Sequence, residues 1–172
     1  MEQKKAKNRI NLFLDMDGVL AAWLTGATDE ELHRPGYFAQ LPPTSLAAFL
    51  QHNPLPEPIR KYALSAYFQD TAAHFEKRWW LSEYTDIPEA RRLLIPCGAS
   101  KAAYVREYFH RPLTKRDVLL DDYSANLLEW EEAGGTAVKW LNGINGSGKR
   151  FHGVRVSTPE ELMHAILPLE NG

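Results

Sequence analysis

One cysteine, Cys97, in 172 residues excludes an internal disulfide and points to a reducing compartment. Long apolar runs are also missing, and none approaches the roughly 18 residues of a membrane span. An excess of charge is lacking too. The formal net charge of −2 gives no general attraction to nucleic acid or to an anionic membrane, and neither is expected as a partner. Six histidines show no metal-ligand spacing and are read as surface or packing residues. Repeats and low-complexity segments are absent, apart from the glycines near 143–153. The basic start MEQKKAKNR is not expected to be a leader. Asp15 and Asp17 interrupt the apolar stretch behind it after five residues, and no convincing cleavage site follows. These absences together predict a cytoplasmic protein.

What is present is ordinary for a globular domain: 44% apolar and 24% charged residues, in a length that buries a real core. Short apolar runs alternate with helical patterns. INLFL (10–14), YALSA (62–66), RLLIP (92–96), DVLLD (117–121) and GTAVKWL (135–141) read as strands. Helical patterns occupy 70–84, with Ala73, Phe75, Trp79 and Leu81 available to face a core, and 100–109, with Ala102, Val105 and Phe109 near one face. Another at 123–135 suits a cap at Asp122 or Ser124 and ends at Gly134; the last, near 159–167, opens with Thr158, Pro159 and a capping-box Glu161. The alternation predicts an α/β fold with a doubly wound, Rossmann-like parallel sheet of about five strands.

Such sheets bind ligands beyond the carboxyl ends of their strands. Polar residues gather there. Asp15 and Asp17 follow the first strand, Ser65 ends the second, Lys101 follows the third, and Asp121 and Asp122 end the fourth. A carboxylate can attack phosphorus, and a second one two residues on can move the proton. Mg²⁺, a hard cation with oxygen ligands, explains how several acids share one cleft. Ser65 and Lys101 suit phosphoryl oxygens, and Gly18 lets the backbone bend closely around the site.

DMDGV, ALSAY, Lys101 and LLDDY, in that order, resemble the four motifs of the haloacid dehalogenase-like phosphatases. PGYFAQLPP (35–43), LSAYF (64–68), EKRWWL (76–81), PCGASK (96–101) and LLDDYSANLLEWEEAGGTAVKWLNGIN (119–145) narrow the resemblance to the 5'(3')-deoxyribonucleotidase branch. It spans residues 10 to about 153. The resemblance implies Asp15 as nucleophile and Asp17 as general acid and base. It implies Mg²⁺ on Asp15, the backbone carbonyl of Asp17 and Asp121, with Asp122 close by, and phosphate held by Ser65 and Lys101. It also implies one domain over 1–172 with a small helical cap at about 20–43, whose Trp23, Tyr37 and Phe38 are candidates to stack on a nucleobase. At Ala66, where some relatives carry a hydroxyl, a phosphate contact would come from backbone alone. The implied partner is a small phosphomonoester such as a nucleoside monophosphate, and a homodimer is compatible with the resemblance.

Competing readings are open at several positions. Lys77 competes with Lys101 for the phosphate; Lys101 is favoured because it follows a strand end, with Lys77 auxiliary. Trp79, Trp80, Trp130 and Trp140 are read as packing, and Cys97 as a buried thiol. GINGSGKR (143–150) fits G-x-x-x-x-G-K, but Arg150 stands where a P-loop needs Ser or Thr and no helix follows, so it is read as a loop. The rival substrate is a sugar phosphate or other small phosphomonoester. A non-catalytic binding module is the rival class, disfavoured by the complete set of catalytic residue types.

Overall fold

Ile10–Leu14 is apolar except at Asn11, and it is buried along its whole length, as a strand covered on both faces must be. In the computed structural model, which describes residues 9–144 and 150–171, this strand is β1. The others are β2 (Ile59–Tyr67), β3 (Arg92–Pro96), β4 (Asp117–Asp121), β5 (Thr136–Trp140) and β6 (Val154–Val156). They form one sheet in the order β3-β2-β1-β4-β5-β6, and every adjacent pair is parallel. The order reverses between β1 and β4, where an open α/β sheet leaves its ligand crevice.

The six α-helices among the described residues are α1 (Asp29–His33), α2 (Ser45–His52), α3 (Ala73–Tyr84), α4 (Lys101–Phe109), α5 (Ser124–Glu132) and α6 (Pro159–Ile166). Side chains alternate across β1. Ile10, Leu12 and Leu14 join a core with α2, α3 and α6. Phe13 points the other way, into a core with α4 and α5. A doubly wound sheet results.

Three strands fall where the sequence predicts them, while β2 is longer than expected and β5 slightly shorter. The sheet has six strands rather than five. The extra one, β6, is three residues long with two exposed, too short and too open to leave a hydrophobic signature. The face of α3 is also corrected. Phe75 and Trp79 are 75% and 48% exposed, whereas Ala73, Lys77, Trp80 and Leu81 are buried. Cys97 is exposed rather than buried, because it begins the turn after β3. Neither Asp122 nor Ser124 caps α5: Tyr123 holds the N-cap position without a side-chain bond, and the Asp121 carboxylate takes its N–H at 2.8 Å. At α6, Thr158 caps as expected, but Glu161 reaches back to the N–H of Ser157 at 2.6 Å rather than to Thr158.

The chain turns sharply after β1. The Met16 carbonyl accepts N–H groups from Val19, Leu20 and Ala21 at 3.2, 2.9 and 2.8 Å, and Ala21 then pairs with Pro43. The excursion between them carries α1 and a 3₁₀ turn at Phe38–Gln40. Glu76 of α3 ties it down, accepting from the backbone of Gly36 at 2.6 Å and of Phe38 at 3.0 Å. Trp80 adds a bond from its indole to the Leu41 carbonyl at 2.7 Å. Among the described residues no helix is long and apolar enough to cross a membrane. The central residues of the GINGSGKR segment lie outside the described residues.

Candidate active site

Parallel pairing of β1 with β4 puts Leu14 opposite Leu120, so the next residues, Asp15 and Asp121, emerge side by side at the crevice. The Asp15 N–H donates to the Leu120 carbonyl at 3.0 Å. Lys101, the first residue of α4, is aimed between the two acids, 3.0 Å from Asp15 Oδ1 and 2.7 Å from Asp121 Oδ2. Ser100 fixes the start of that helix by accepting the Ala103 N–H at 2.9 Å, as an N-cap does. All three charges are buried. Burial pushes the Asp15 carboxyl up to about 7, and Asp121 and Asp17 reinforce the shift against the pull of Lys101 and Lys77. For Lys101 burial disfavours the charge, but Asp121 and Asp15 outweigh it and hold its ammonium well above the usual lysine range.

The fourth strand end is fixed by amides and a second buried lysine. Asp121 also accepts from Asn126 at 2.9 Å. Asp122 accepts from Asn142 at 2.6 Å, and the same amide nitrogen reaches the Gly18 carbonyl at 3.0 Å. Lys139 on β5 donates to the Asp122 carbonyl at 2.7 Å and to Ser124 Oγ at 3.1 Å. Asp15, Asp121 and Asp122 thereby offer carboxylate oxygens within 4.8 Å of one another. This is a hard, all-oxygen donor set of the kind that suits Mg²⁺. The Asp17 carboxylate is outside that group.

Asp17 belongs instead to a second cluster, around Lys77. The Lys77 ammonium donates to Asp17 Oδ2, to Ser65 Oγ at 3.2 Å and to the Ala66 carbonyl at 2.5 Å. An ammonium has three donors, and these three partners use them all. Lys101 has two of its donors on Asp15 and Asp121, so among the described residues one is left for a ligand. Asp17 Oδ1 is buried and has no partner among the described residues.

The expected aromatic residues divide. Phe38 is 2% exposed and its ring lies 4.5 Å from the Lys77 ammonium. It is a wall under that lysine, not a surface for a base, and the expectation of stacking is corrected for it. Trp23 and Tyr37 are half-buried and meet edge to face, with ring centroids 6.4 Å apart. Tyr37 also lines a cavity of about 280 Å³ with Leu24, Glu31, Arg34 and Gln40. Its hydroxyl is buried without a partner among the described residues. Burial raises the phenol pKa, and the carboxylates of Asp17 and Glu31 add to it.

No protein-family profile matches the chain, and no curated protein matches it in sequence. Solved structures do match. One is a D,D-heptose 1,7-bisphosphate phosphatase from B. bronchiseptica, crystallised with magnesium and phosphate. It is 15% identical with a TM-score of 0.57, covering 91% of this chain and 99% of the other. The chain shares the fold of that phosphatase. It also shares the fold of a HAD-superfamily hydrolase of subfamily IA, variant 1, from Geobacter sulfurreducens, at 11% identity and a TM-score of 0.55, covering 92% of this chain and 97% of the other.

Gly18 shows how tightly the site is built. Its φ is +77°, and an added Cβ would stand 2.7 Å from Asn142 Nδ2 and closer still to Asp122 Oδ2. Gly18→Ala is therefore expected to cost about 1–3 kcal/mol through backbone strain and displacement of Asp122. Urea unfolding would show the loss. Asn142, Asn126 and Lys139 were missed as site residues. Asn142 carries the one available signal, a polar residue just past the carboxyl end of a strand.

Proposed function

We propose that the protein is a Mg²⁺-dependent phosphomonoesterase of the cytosol that works through an aspartyl-phosphate. The observation that carries this reading is the convergence of two buried lysine clusters, Lys101 with Asp15 and Asp121 and Lys77 with Asp17 and Ser65. A structural core has no use for four carboxylates at one crevice. Asp15, Asp121 and Asp122 would hold the Mg²⁺, with the Asp17 carbonyl, and the ion would supply neutralising charge for the phosphoryl group. The magnesium in the heptose bisphosphate phosphatase supports that assignment.

The Met16 N–H, donating to Asp15 Oδ1 at 2.8 Å, fixes the orientation of the carboxylate, whose other oxygen, Oδ2, would attack phosphorus. As that bond forms, the ester P–O bond breaks and Asp17 gives its proton to the leaving oxygen. Water then attacks the phosphorus, Asp17 takes a proton from it, and the bond to Asp15 breaks to release phosphate. Lys101, with one donor left, and Ser65 bind the phosphoryl oxygens. Lys77 holds Asp17 and Ser65 in place.

The substrate we favour is a nucleoside 5'-monophosphate, with deoxyribose preferred. Tyr37, which lines the cavity of about 280 Å³ and meets Trp23 edge to face, supports a substrate that carries a nucleobase. A sugar phosphate is the second reading. It is favoured by the heptose bisphosphate neighbour and by the withdrawal of Phe38 from the ligand side.

Phosphate release, measured with Mg²⁺ and with EDTA across nucleoside 5'- and 3'-monophosphates and several sugar phosphates, tests both. Metal-dependent turnover strongest on a deoxynucleoside 5'-monophosphate is the expected result. Turnover on sugar phosphates alone would keep the mechanism and overturn the substrate. Absence of turnover while Mg²⁺ still binds would overturn catalysis in favour of a binding role.

A further inference from the structure

A second cavity opens at the opposite end of the sheet, where the amino ends of β1, β2 and β4 meet. Its volume is about 350 Å³, and Arg9, Arg60, Arg111 and Arg116 all line it. No acidic residue is among the described residues that do so. The arginines come from four places: the residue before β1, the second residue of β2, the segment after α4, and the residue before β4. Register makes them converge, because Asn11 lies opposite Arg60 on one side and opposite Asp117 on the other.

Among the described residues, the carboxylate at this end of β4, Asp117, is committed to one of these arginines, Arg111. Asp117 is fully buried and already accepts from Asn11 at 2.8 Å. Arg111 adds a two-pronged contact at 2.7 and 2.8 Å, and Thr114 adds its N–H at 2.8 Å and its hydroxyl at 3.1 Å. A carboxylate has about four lone-pair sites, so Asp117 is saturated by the arginine that it orients. Arg111 is thus held in one geometry, its guanidinium 4.8 Å from the Phe109 ring, while Arg9 and Arg60 remain half-buried on the same concavity. A chain with a net charge of −2 has placed four guanidinium groups around one hollow.

We propose that this cavity binds a small ligand carrying clustered phosphate groups. Guanidinium forks match phosphate oxygens in pairs, and several around one hollow select multiple charge over single charge. The volume is that of a small-molecule site, and Tyr62 and Phe109 supply aromatic walls. β1 separates it from Asp15 by its own length, roughly 17 Å for five residues. The ligand therefore does not touch the reacting atoms, and the site does not depend on the proposed activity.

Calorimetric titration of the full chain with inorganic diphosphate in EDTA, beside the double variant Arg9→Ala/Arg60→Ala, tests the proposal. Among the described residues neither side chain makes a hydrogen bond or ion pair that holds a strand end, so folding is not at stake, and Arg60→Lys provides a charge-retaining control. Binding of one diphosphate that weakens about tenfold or more in the double variant and less in Arg60→Lys is expected, with phosphate release on the substrate unchanged. A nucleoside diphosphate titrated in parallel separates the sources. Equal affinity assigns the site to the phosphates alone, tighter binding adds the aromatic walls, and both support it. Diphosphate binding equally to the wild type and the double variant, or to neither, overturns it.

Discussion

Asp15→Asn is expected to lower phosphate release by about 10⁴-fold, because a carboxamide cannot form the acyl-phosphate. The same substitution is expected to stabilise the metal-free protein. Burial, reinforced by Asp121 and Asp17, pushes the Asp15 carboxyl from 3.8 up to about 7. Between those values the folded state holds a proton that the unfolded chain has released, so stability falls as pH rises through the window. A shift of that size corresponds to about 4 kcal/mol at full ionisation. The asparagine variant carries no such dependence, although Lys101 gives up one partner and offsets part of the gain. Its melting temperature should match the wild type near pH 4 and exceed it by several degrees above pH 7. Asp117 does not confuse the comparison. Burial works against its charge, but bonds from Arg111, Asn11 and Thr114 outweigh it and depress its pKa, so its contribution is lost only as pH falls below the ordinary carboxylate range. Mg²⁺ should abolish the difference by neutralising the carboxylates of the wild type. A variant that keeps substantial turnover would end the nucleophile assignment, whatever its stability.

Much of this site was legible because its chemistry sits at strand ends, and strand ends are where apolar runs stop. The runs at β1, β3 and β4 are five residues long, those at β1 and β4 buried throughout, so Asp15, Lys101 and Asp121 could each be placed by counting. Ser65 was placed too, although β2 runs on to Tyr67. Lys77 shows where such reading fails. Periodicity assigns a lysine to the solvent face of a helix, and with Lys77 turned outward, Phe75 and Trp79 become the apparent core. The structure reverses this. Lys77 is 1% exposed, because its partners come from β2 (Ser65 and Ala66) and the turn after β1 (Asp17), which no helix-local pattern can see. Phe38 was misjudged for the same reason. Its role is to pack beneath a buried ammonium, and nothing near it in the chain announces that charge. β6 was lost differently: three residues with two exposed carry too little apolar signal, and only pairing with β5 makes them a strand.

The reversal makes Lys77 the position where stability and chemistry are most tightly joined. Lys77→Met fills similar volume but leaves Asp17 without its countercharge and Ser65 and the Ala66 carbonyl without their donor. Removing one partner of a buried ion pair costs about 3–5 kcal/mol. The expected loss is near the lower figure, since the Asp17 side chain is 23% exposed and water can reach it. Turnover is expected to drop about 100-fold, because an Asp17 free to rotate no longer meets the leaving oxygen in one orientation. A double variant, Lys77→Met with Asp17→Asn, separates the two effects. Asparagine needs no countercharge, so the double variant should unfold in urea at a higher concentration than Lys77→Met alone, with a favourable coupling between the sites. Activity should not return with the stability, since the proton carrier is gone. If stability and turnover recovered together, Asp17 would be a structural partner of Lys77 and the general acid would lie elsewhere. If Lys77→Met were as stable as the wild type, the saturated ammonium would be a contact of no consequence, and Lys101 alone would organise the crevice.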